Sequence, residues 1–240
     1  MTIGVFDSGV GGLSVVRQLK AHRILYFADT AHFPYGPRND AEIIALASSA
    51  ISFLIEKGAT NIILACNTVA SVAARLLREK HSIPIYDLIR PAVLAATSVS
   101  SGRIGLIGTE KTIQKKIFET ETFSISPNTK LFSVACPLLA PIVEYGSPSD
   151  QATRLIVHAY LETLLQEHID TLLLGCTHYP FLRPHFALEH VHLIDPAEYL
   201  KAPTSTSPSL TCFVSGNSVS FQKRAEQLLQ KSILVHQVLR

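Results

Sequence analysis

Short apolar runs alternate with helical patterns from the first residues onward, and few folds accommodate that alternation. Ile3 to Phe6 reads as a buried strand, followed by a glycine turn and a helix from Leu13 to His22. Ile24 to Phe27 is the next strand, and Ala41 to Lys57 an amphipathic helix stopped by Gly58. Ile62 to Ala65 is a third strand, followed by a helix from Val69 to Glu79. Strands that are apolar throughout, rather than at every second residue, are covered on both faces, and intervening helices supply the cover. The fold class is α/β, with parallel sheets flanked by helices.

The pattern then repeats. Ile104-Gly105-Leu106-Ile107-Gly108-Thr109 echoes Ile3-Gly4-Val5-Phe6-Asp7-Ser8, and Leu172-Leu173-Leu174-Gly175-Cys176-Thr177-His178 echoes Ile62-Ile63-Leu64-Ala65-Cys66-Asn67-Thr68. Two matches in the same order predict two pseudo-symmetric lobes with an active site in the cleft between them, although generic strands can match this well by chance. Ile83 to Pro91 reads as a first crossing between lobes, and the Ser/Thr/Pro run from Ala202 to Ser209 as a second. A last strand, Thr211 to Gly216, and a helix, Phe221 to Lys231, return to the first lobe. The expected division is 1–90 plus 208–240 for the first lobe and 91–207 for the second.

Composition narrows the partners. The chain has 240 residues, 47% hydrophobic and 17% charged, enough apolar material for a core without metal or disulfide staples. A net charge of +2 with interspersed signs forms no basic stripe, so nucleic acid is not expected as the main ligand. The longest apolar stretch, Ile43 to Ile55, carries Ser48, Ser49 and Ser52 and is too short to span a bilayer. With no basic and apolar leader at Met1 to Gly4, a cytoplasmic location is expected. The four cysteines (66, 136, 176 and 212) include no Cys-x-x-Cys pair, so thiols are expected rather than disulfides or a zinc site.

Two of those thiols stand apart. Cys66 and Cys176 are each expected where a buried strand ends and a helix begins, with Asn67 and Thr68 as capping residues in one case and Thr177 and His178 following in the other. Ligands of open α/β sheets bind at such strand ends, and a helix N-terminus there attracts anions and lowers a thiol pKa. A free cysteine is also an ordinary buried apolar residue, and Cys136 and Cys212, which lack this setting, are assigned to packing. Two thiols facing one cleft can invert a stereocentre: one removes a proton from carbon while the other delivers a proton to the opposite face. Asp7-Ser8-Gly9-Val10-Gly11-Gly12 lacks the Lys-Ser/Thr of a P-loop. Its glycines are expected to let the backbone approach a small anionic ligand, with Ser8 donating and Asp7 as a proton partner. His178 can polarise Cys176 or bind substrate, or be a zinc ligand or a plain loop residue; His185, His190 and His192 match no metal spacing. Tyr35-Gly36 sits in a loop able to close over a cleft, and Glu144 is either a surface acid or a cleft group.

The ordered set of motifs resembles the glutamate racemases of the aspartate/glutamate racemase family. It comprises Ile3 to Leu13, Asp29-Thr30 with Pro34-Tyr35-Gly36, Ala65 to Thr68, Ala135-Cys136-Pro137 with Glu144, Leu174 to Pro180, and Val214 to Asn217 with Phe221. The resemblance implies a cofactor-independent racemase that interconverts L- and D-glutamate and supplies D-glutamate for peptidoglycan, acting as a homodimer with no bound metal. It implies that Cys66 and Cys176 are the two acid/base thiols, with Asp7 assisting Cys66, His178 assisting Cys176, and Glu144 helping further. Asp7, Ser8, Tyr35, Gly36, Asn67, Thr68, Thr177 and His178 would hold the substrate. Ala28, Val69, Tyr86 to Ala92 and Asp195 to Glu198 depart from the usual family pattern but leave every catalytic position in place. Three other readings compete: an aspartate racemase of the same family, a cysteine hydrolase using one thiol, and a non-catalytic glutamate-binding module.

Overall fold

The computed structural model describes residues 1–19, 23–200 and 209–238. The chain opens with β1 (Thr2–Asp7), α1 (Leu13–Gln18), β2 (Arg23–Ala28), α2 (Asp40–Glu56), β3 (Asn61–Leu64), α3 (Asn67–Lys80), β4 (Ile85–Asp87) and α4 (Ile89–Val99). It continues through β5 (Arg103–Gly108), α5 (Glu110–Gln114), α6 (Ile117–Ile125), β6 (Lys130–Ala135), α7 (Leu139–Tyr145), α8 (Gln151–Gln166) and β7 (Thr171–Gly175). A 3₁₀ segment (Tyr179–Phe186), β8 (His192–Ile194), another 3₁₀ segment (Pro196–Tyr199), β9 (Ser209–Val214), α9 (Ser218–Leu229) and β10 (Leu234–Gln237) complete it, and a short 3₁₀ segment (Thr30–His32) lies between β2 and α2.

The strands form two sheets, ordered β10-β9-β2-β1-β3-β4 and β6-β5-β7-β8, and every pairing is parallel. The order β2-β1-β3-β4 repeats as β6-β5-β7-β8. This is the physical basis of the two sequence echoes, since β1 matches β5 and β3 matches β7. In each sheet the central strand carries an Ile-Gly pair. A Cβ on Gly4 would lie 2.7 Å from Cδ1 of Ile62, and a Cβ on Gly105 2.7 Å from Cδ1 of Ile169. The glycine lets an apolar side chain seat directly on the sheet in both halves. Each of two buried apolar clusters draws on both sheets, one through Val5, Tyr26 and Leu174, the other through Phe6, Leu64 and Leu106.

Several boundaries differ from the expectation. Ile83 to Pro91 is not a bare crossing: Ile85–Asp87 pairs with β3 as an edge strand, and α4 begins at Ile89. Pro84 can precede that strand because an edge needs no N–H there; its carbonyl instead accepts from the Ile62 N–H at 2.9 Å. The chain passes to the second sheet through α4 and the Ser100–Gly102 turn, where Gly102 has φ +118°. β10 is an additional strand that alternation did not reveal. The end of the first helix (20–22) and the Ser/Thr/Pro run at 202–208 lie outside the described residues. Among the described residues no helix is long and apolar enough to cross a membrane.

The matched glycines give a direct test of the repeat. Gly4→Ala and Gly105→Ala should each destabilise the protein by about 1–3 kcal/mol through overpacking. Denaturant unfolding checks this, and a neutral effect at either position would contradict the tight approach.

Candidate active site

The carboxyl ends of the central strands of both sheets meet, and functional side chains project from the turns beyond them. β1 leads into Asp7 and Ser8, and β3 into Cys66, Asn67 and Thr68; β5 leads into Thr109, and β7 into Cys176, Thr177 and His178. Ser8, Cys66, Asn67, Thr68, Cys176, Thr177 and His178 line one cavity of about 30 Å³, together with Phe33, Pro34, Tyr35 and Gly36. Thr109 also lines it, a residue that no motif singles out although it stands where Ser8 stands in the first repeat. Its Oγ1 lies 2.9 Å from Oγ1 of Thr68 and 2.9 Å from that of Thr112, joining the two halves across the cavity.

Cys66 sits at the N-cap of α3, 6% exposed, with its sulfur 3.6 Å from the Ser8 hydroxyl. The expectation that a helix start lowers this thiol's pKa is not met. Burial, reinforced by the charge of Asp7, pushes it up to about 12, outweighing the Val69 N–H and Ser8 that favour the thiolate. Cys66 therefore holds its proton at neutral pH. Both polar atoms of Asn67 are buried without a hydrogen-bond partner. Such groups are costly to leave unpaired, and here they border the cavity where a polar ligand can satisfy them.

The Cys176 side is built differently. The expected helix start at Cys176 is absent: a turn and a 3₁₀ segment succeed it, where Cys66 caps an α-helix. The Cys176 sulfur lies 3.7 Å from Nδ1 of His178, and Nε2 of His178 lies 2.9 Å from Oε2 of Glu144. Burial opposes charge on this imidazole, yet the hydrogen bonds to Cys176 and Glu144 outweigh it and hold its pKa well above the usual histidine value. The protonated ring then donates from both nitrogens, one to the Cys176 sulfur and one to the Glu144 carboxylate.

Asp7 and Glu144 stand behind the cavity wall. Asp7 is fully buried, accepting from the Gly9 N–H and the Thr177 hydroxyl, each at 2.9 Å. Burial raises its pKa, with the neighbouring His178 charge pulling the other way. Glu144, 7% exposed, accepts from the Val10 N–H at 3.0 Å as well as from His178. The glycine loop therefore serves a purpose other than the one expected. A Cβ on Gly9 would lie 2.4 Å from Oε2 of Glu144, and one on Gly11 2.2 Å from Nδ1 of His178. Gly9 makes room for the protein's own Glu144 carboxylate, and Gly11 for the His178 imidazole.

The loop over the cavity has its own anchor. Asp29 accepts from Tyr35 Oη at 2.5 Å and Ser215 Oγ at 2.6 Å, and lies 2.9 Å from Nδ1 of His32. The Phe33 ring lies 5.5 Å from that of His178. Asp29 and Ser215 are thus the residues that hold Tyr35 in place, a role that neither motif discloses by itself. Cys136 and Cys212 are fully buried, and burial drives both thiols up to about 12.

This arrangement can be set beside known proteins. A family model described as Asp/Glu/Hydantoin racemase matches residues 14–200. A glutamate racemase of Desulforudis audaxviator is 40% identical, covering 95% of this chain and 93% of its own. The structure of glutamate racemase isoform RacE1 from Bacillus anthracis superposes with a TM-score of 0.92 at 34% identity, over 99% of this chain and 97% of that one. That of the Francisella tularensis glutamate racemase in complex with D-glutamate superposes at 0.88 and 30% identity, over 100% and 97%. The chain belongs to the Asp/Glu/Hydantoin racemase family, among its glutamate racemases.

The close approach at Gly11 and the raised thiols can each be tested. Gly11→Ala must displace His178 or the loop. Turnover should fall about 100-fold, the usual cost of a misplacement of about 1 Å, while circular dichroism stays native; undiminished turnover would contradict the close approach. The raised thiols of Cys66, Cys136 and Cys212 bind protons that the unfolded chain releases above about pH 9. Their contribution is complete below that pH and is lost as pH rises towards 12, by up to about 1.4 kcal/mol per proton per pH unit. Melting temperature should fall steadily from pH 8.5 to 11, and a flat profile would contradict the assignment.

Proposed function

We propose that this protein interconverts L- and D-glutamate without a cofactor, by proton transfer between the substrate Cα and two cysteine thiols. The observation that carries the reading is the pair of thiols, Cys66 and Cys176, at equivalent strand ends on one cavity, each with separate polar partners. One sulfur, as thiolate, takes the Cα proton. The other, as thiol, gives its proton to the opposite face, and the two sulfurs exchange protonation states over the cycle. Cys66 starts as the thiol. Cys176 lies beside a cationic His178, and Glu144 keeps that imidazole charged and aligned. The unpaired Asn67 amide, the hydroxyls of Ser8, Thr68, Thr109 and Thr177, and Tyr35-Gly36 in the covering loop receive the substrate's charged groups. Admitting an amino acid requires a cavity wider than the one of about 30 Å³ seen here.

Residues 1–90 with 208–240 and 91–207 are the two lobes of this reading. A homodimer in the cytoplasm, supplying D-glutamate for peptidoglycan, completes it. The named relatives are glutamate racemases, which favours glutamate over aspartate as substrate. Replacing Cys66 or Cys176 by Ser should lower racemisation of either enantiomer about 10²- to 10⁴-fold, the span of general acid–base catalysis. The assay is polarimetry on L- and D-glutamate, with both aspartate enantiomers run beside them. Unchanged turnover in either variant overturns the two-thiol mechanism, and faster turnover of aspartate overturns the substrate.

A further inference from the structure

Glu144 lies in the last turn of α7, a seven-residue helix too short to hold its own geometry against a buried charge. The carbonyls of such a turn have no partners within the helix. Here the Ile142 carbonyl accepts from the Gly146 N–H at 2.9 Å, and one side chain from the far end of the sequence reaches it and two further carbonyls. Arg224 of α9 donates from Nε to the Val143 carbonyl at 2.6 Å, and from Nη2 to Val143, to Ile142 at 3.2 Å and to Gly146 at 3.0 Å. The carbonyl of Val143 belongs to the same peptide unit as the Glu144 nitrogen, so the guanidinium holds the backbone from which the carboxylate projects. A cation suits this position, because the C-terminus of a helix carries partial negative charge.

The support behind Arg224 is rigid. α9 comes after β9, which pairs with β2 of the first sheet, and Phe221, one turn earlier, is 4% exposed and stacks on Tyr26 with ring centroids 6.2 Å apart. Tyr26 in turn donates to the Gly9 carbonyl at 2.6 Å, in the loop whose Val10 N–H reaches Glu144. The first sheet thus grips Glu144 twice, by the Val10 N–H at its carboxylate and by Arg224 at its backbone.

We propose that Arg224 is a positioning residue for the Cys176 half-reaction: by clamping the C-terminal turn of α7 it fixes Glu144 on His178, and His178 on Cys176. The proposal deepens the two-thiol reading above and rests on it for its kinetic consequences. Its geometric consequence, the register of Glu144 on His178, is independent of turnover.

The test compares the full-length protein with R224M, which keeps an apolar stem and removes the donors, and R224K, which keeps the charge but not the fork of donors. In R224M, kcat should fall about 10- to 100-fold with KM changed less than about threefold, since the loss is one of alignment rather than of substrate contacts. R224K should recover part of the loss. Because only one sulfur is affected, primary isotope effects with Cα-deuterated L- and D-glutamate should become unequal, larger for the enantiomer whose proton Cys176 removes. His178 faces Glu144, Cys176 and Asp7, and its titration is followed by NMR with labelled histidine. Its pKa should drop by a unit or more in R224M as Glu144 moves away.

A merely structural role would lower the folded fraction and leave the isotope effects equal and the His178 titration unmoved; that result overturns the proposal. Wild-type turnover and His178 titration in R224M at or near those of the native protein would overturn it too. If the native protein racemises nothing, the activity reading fails by itself, and the His178 titration alone decides the clamp.

Discussion

A histidine and two carboxylates are buried where the ends of the two sheets meet, and the arrangement around them results from the need to pair them. Asp7, Glu144 and His178 are each 7% exposed or less. Charge so far from water is tolerated only when hydrogen-bonded or matched by opposite charge. Glu144 is satisfied by His178 and the Val10 N–H, Asp7 by Thr177 and the Gly9 N–H. Both sets join a residue at or just beyond the end of β1 to a residue of the second sheet's half. The same bonds that neutralise the charges therefore hold the halves together around the cavity, and glycine at 9 and 11 is what makes room for them.

The repeat is not mirrored in the chemistry. The two sheets share strand order, and both place a cysteine at the end of the strand next to the central one. Behind Cys66 stand a helix N-terminus, a serine hydroxyl and a carboxylate, and there burial and the carboxylate's charge hold it as a thiol; behind Cys176 stands an imidazole kept charged by Glu144. The two residues are of one type and occupy equivalent positions, yet their surroundings differ, which is what the proposed division of roles between them requires.

Much of this is legible in the chain because it is local. A buried strand, a cysteine and a polar residue occupy consecutive positions, so periodicity and turn chemistry single out Cys66 and Cys176. Asp7 is legible as a proton partner from its glycine loop, whereas Glu144 stays a surface acid or a cleft group until family resemblance chooses, since nothing near it in the sequence shows what it touches. The purpose of Gly9 and Gly11 is hidden for the same reason: their neighbours are residues 144 and 178, and a loop's glycines look alike whether they approach a ligand or a side chain. Thr109 carries no motif of its own, although it is the repeat partner of Ser8. Short β4 looks like a crossing because Pro84 and Pro91 bracket it; only its pairing with β3 makes it a strand. The Cys66 pKa runs opposite to expectation because burial, which no local pattern reports, outweighs the helix terminus.

Two separate sulfurs each handle one face of the substrate in this mechanism, and isotope tracing during a single passage tests that most directly. L-glutamate is incubated with the protein in D₂O and both enantiomers are analysed by NMR before equilibrium is reached; the experiment is then repeated from D-glutamate. The newly formed enantiomer should carry deuterium at Cα while the remaining starting enantiomer stays protiated. Deuterium appearing equally in both from the outset, as a single base returning its proton to either face would give, would contradict the two-sulfur mechanism.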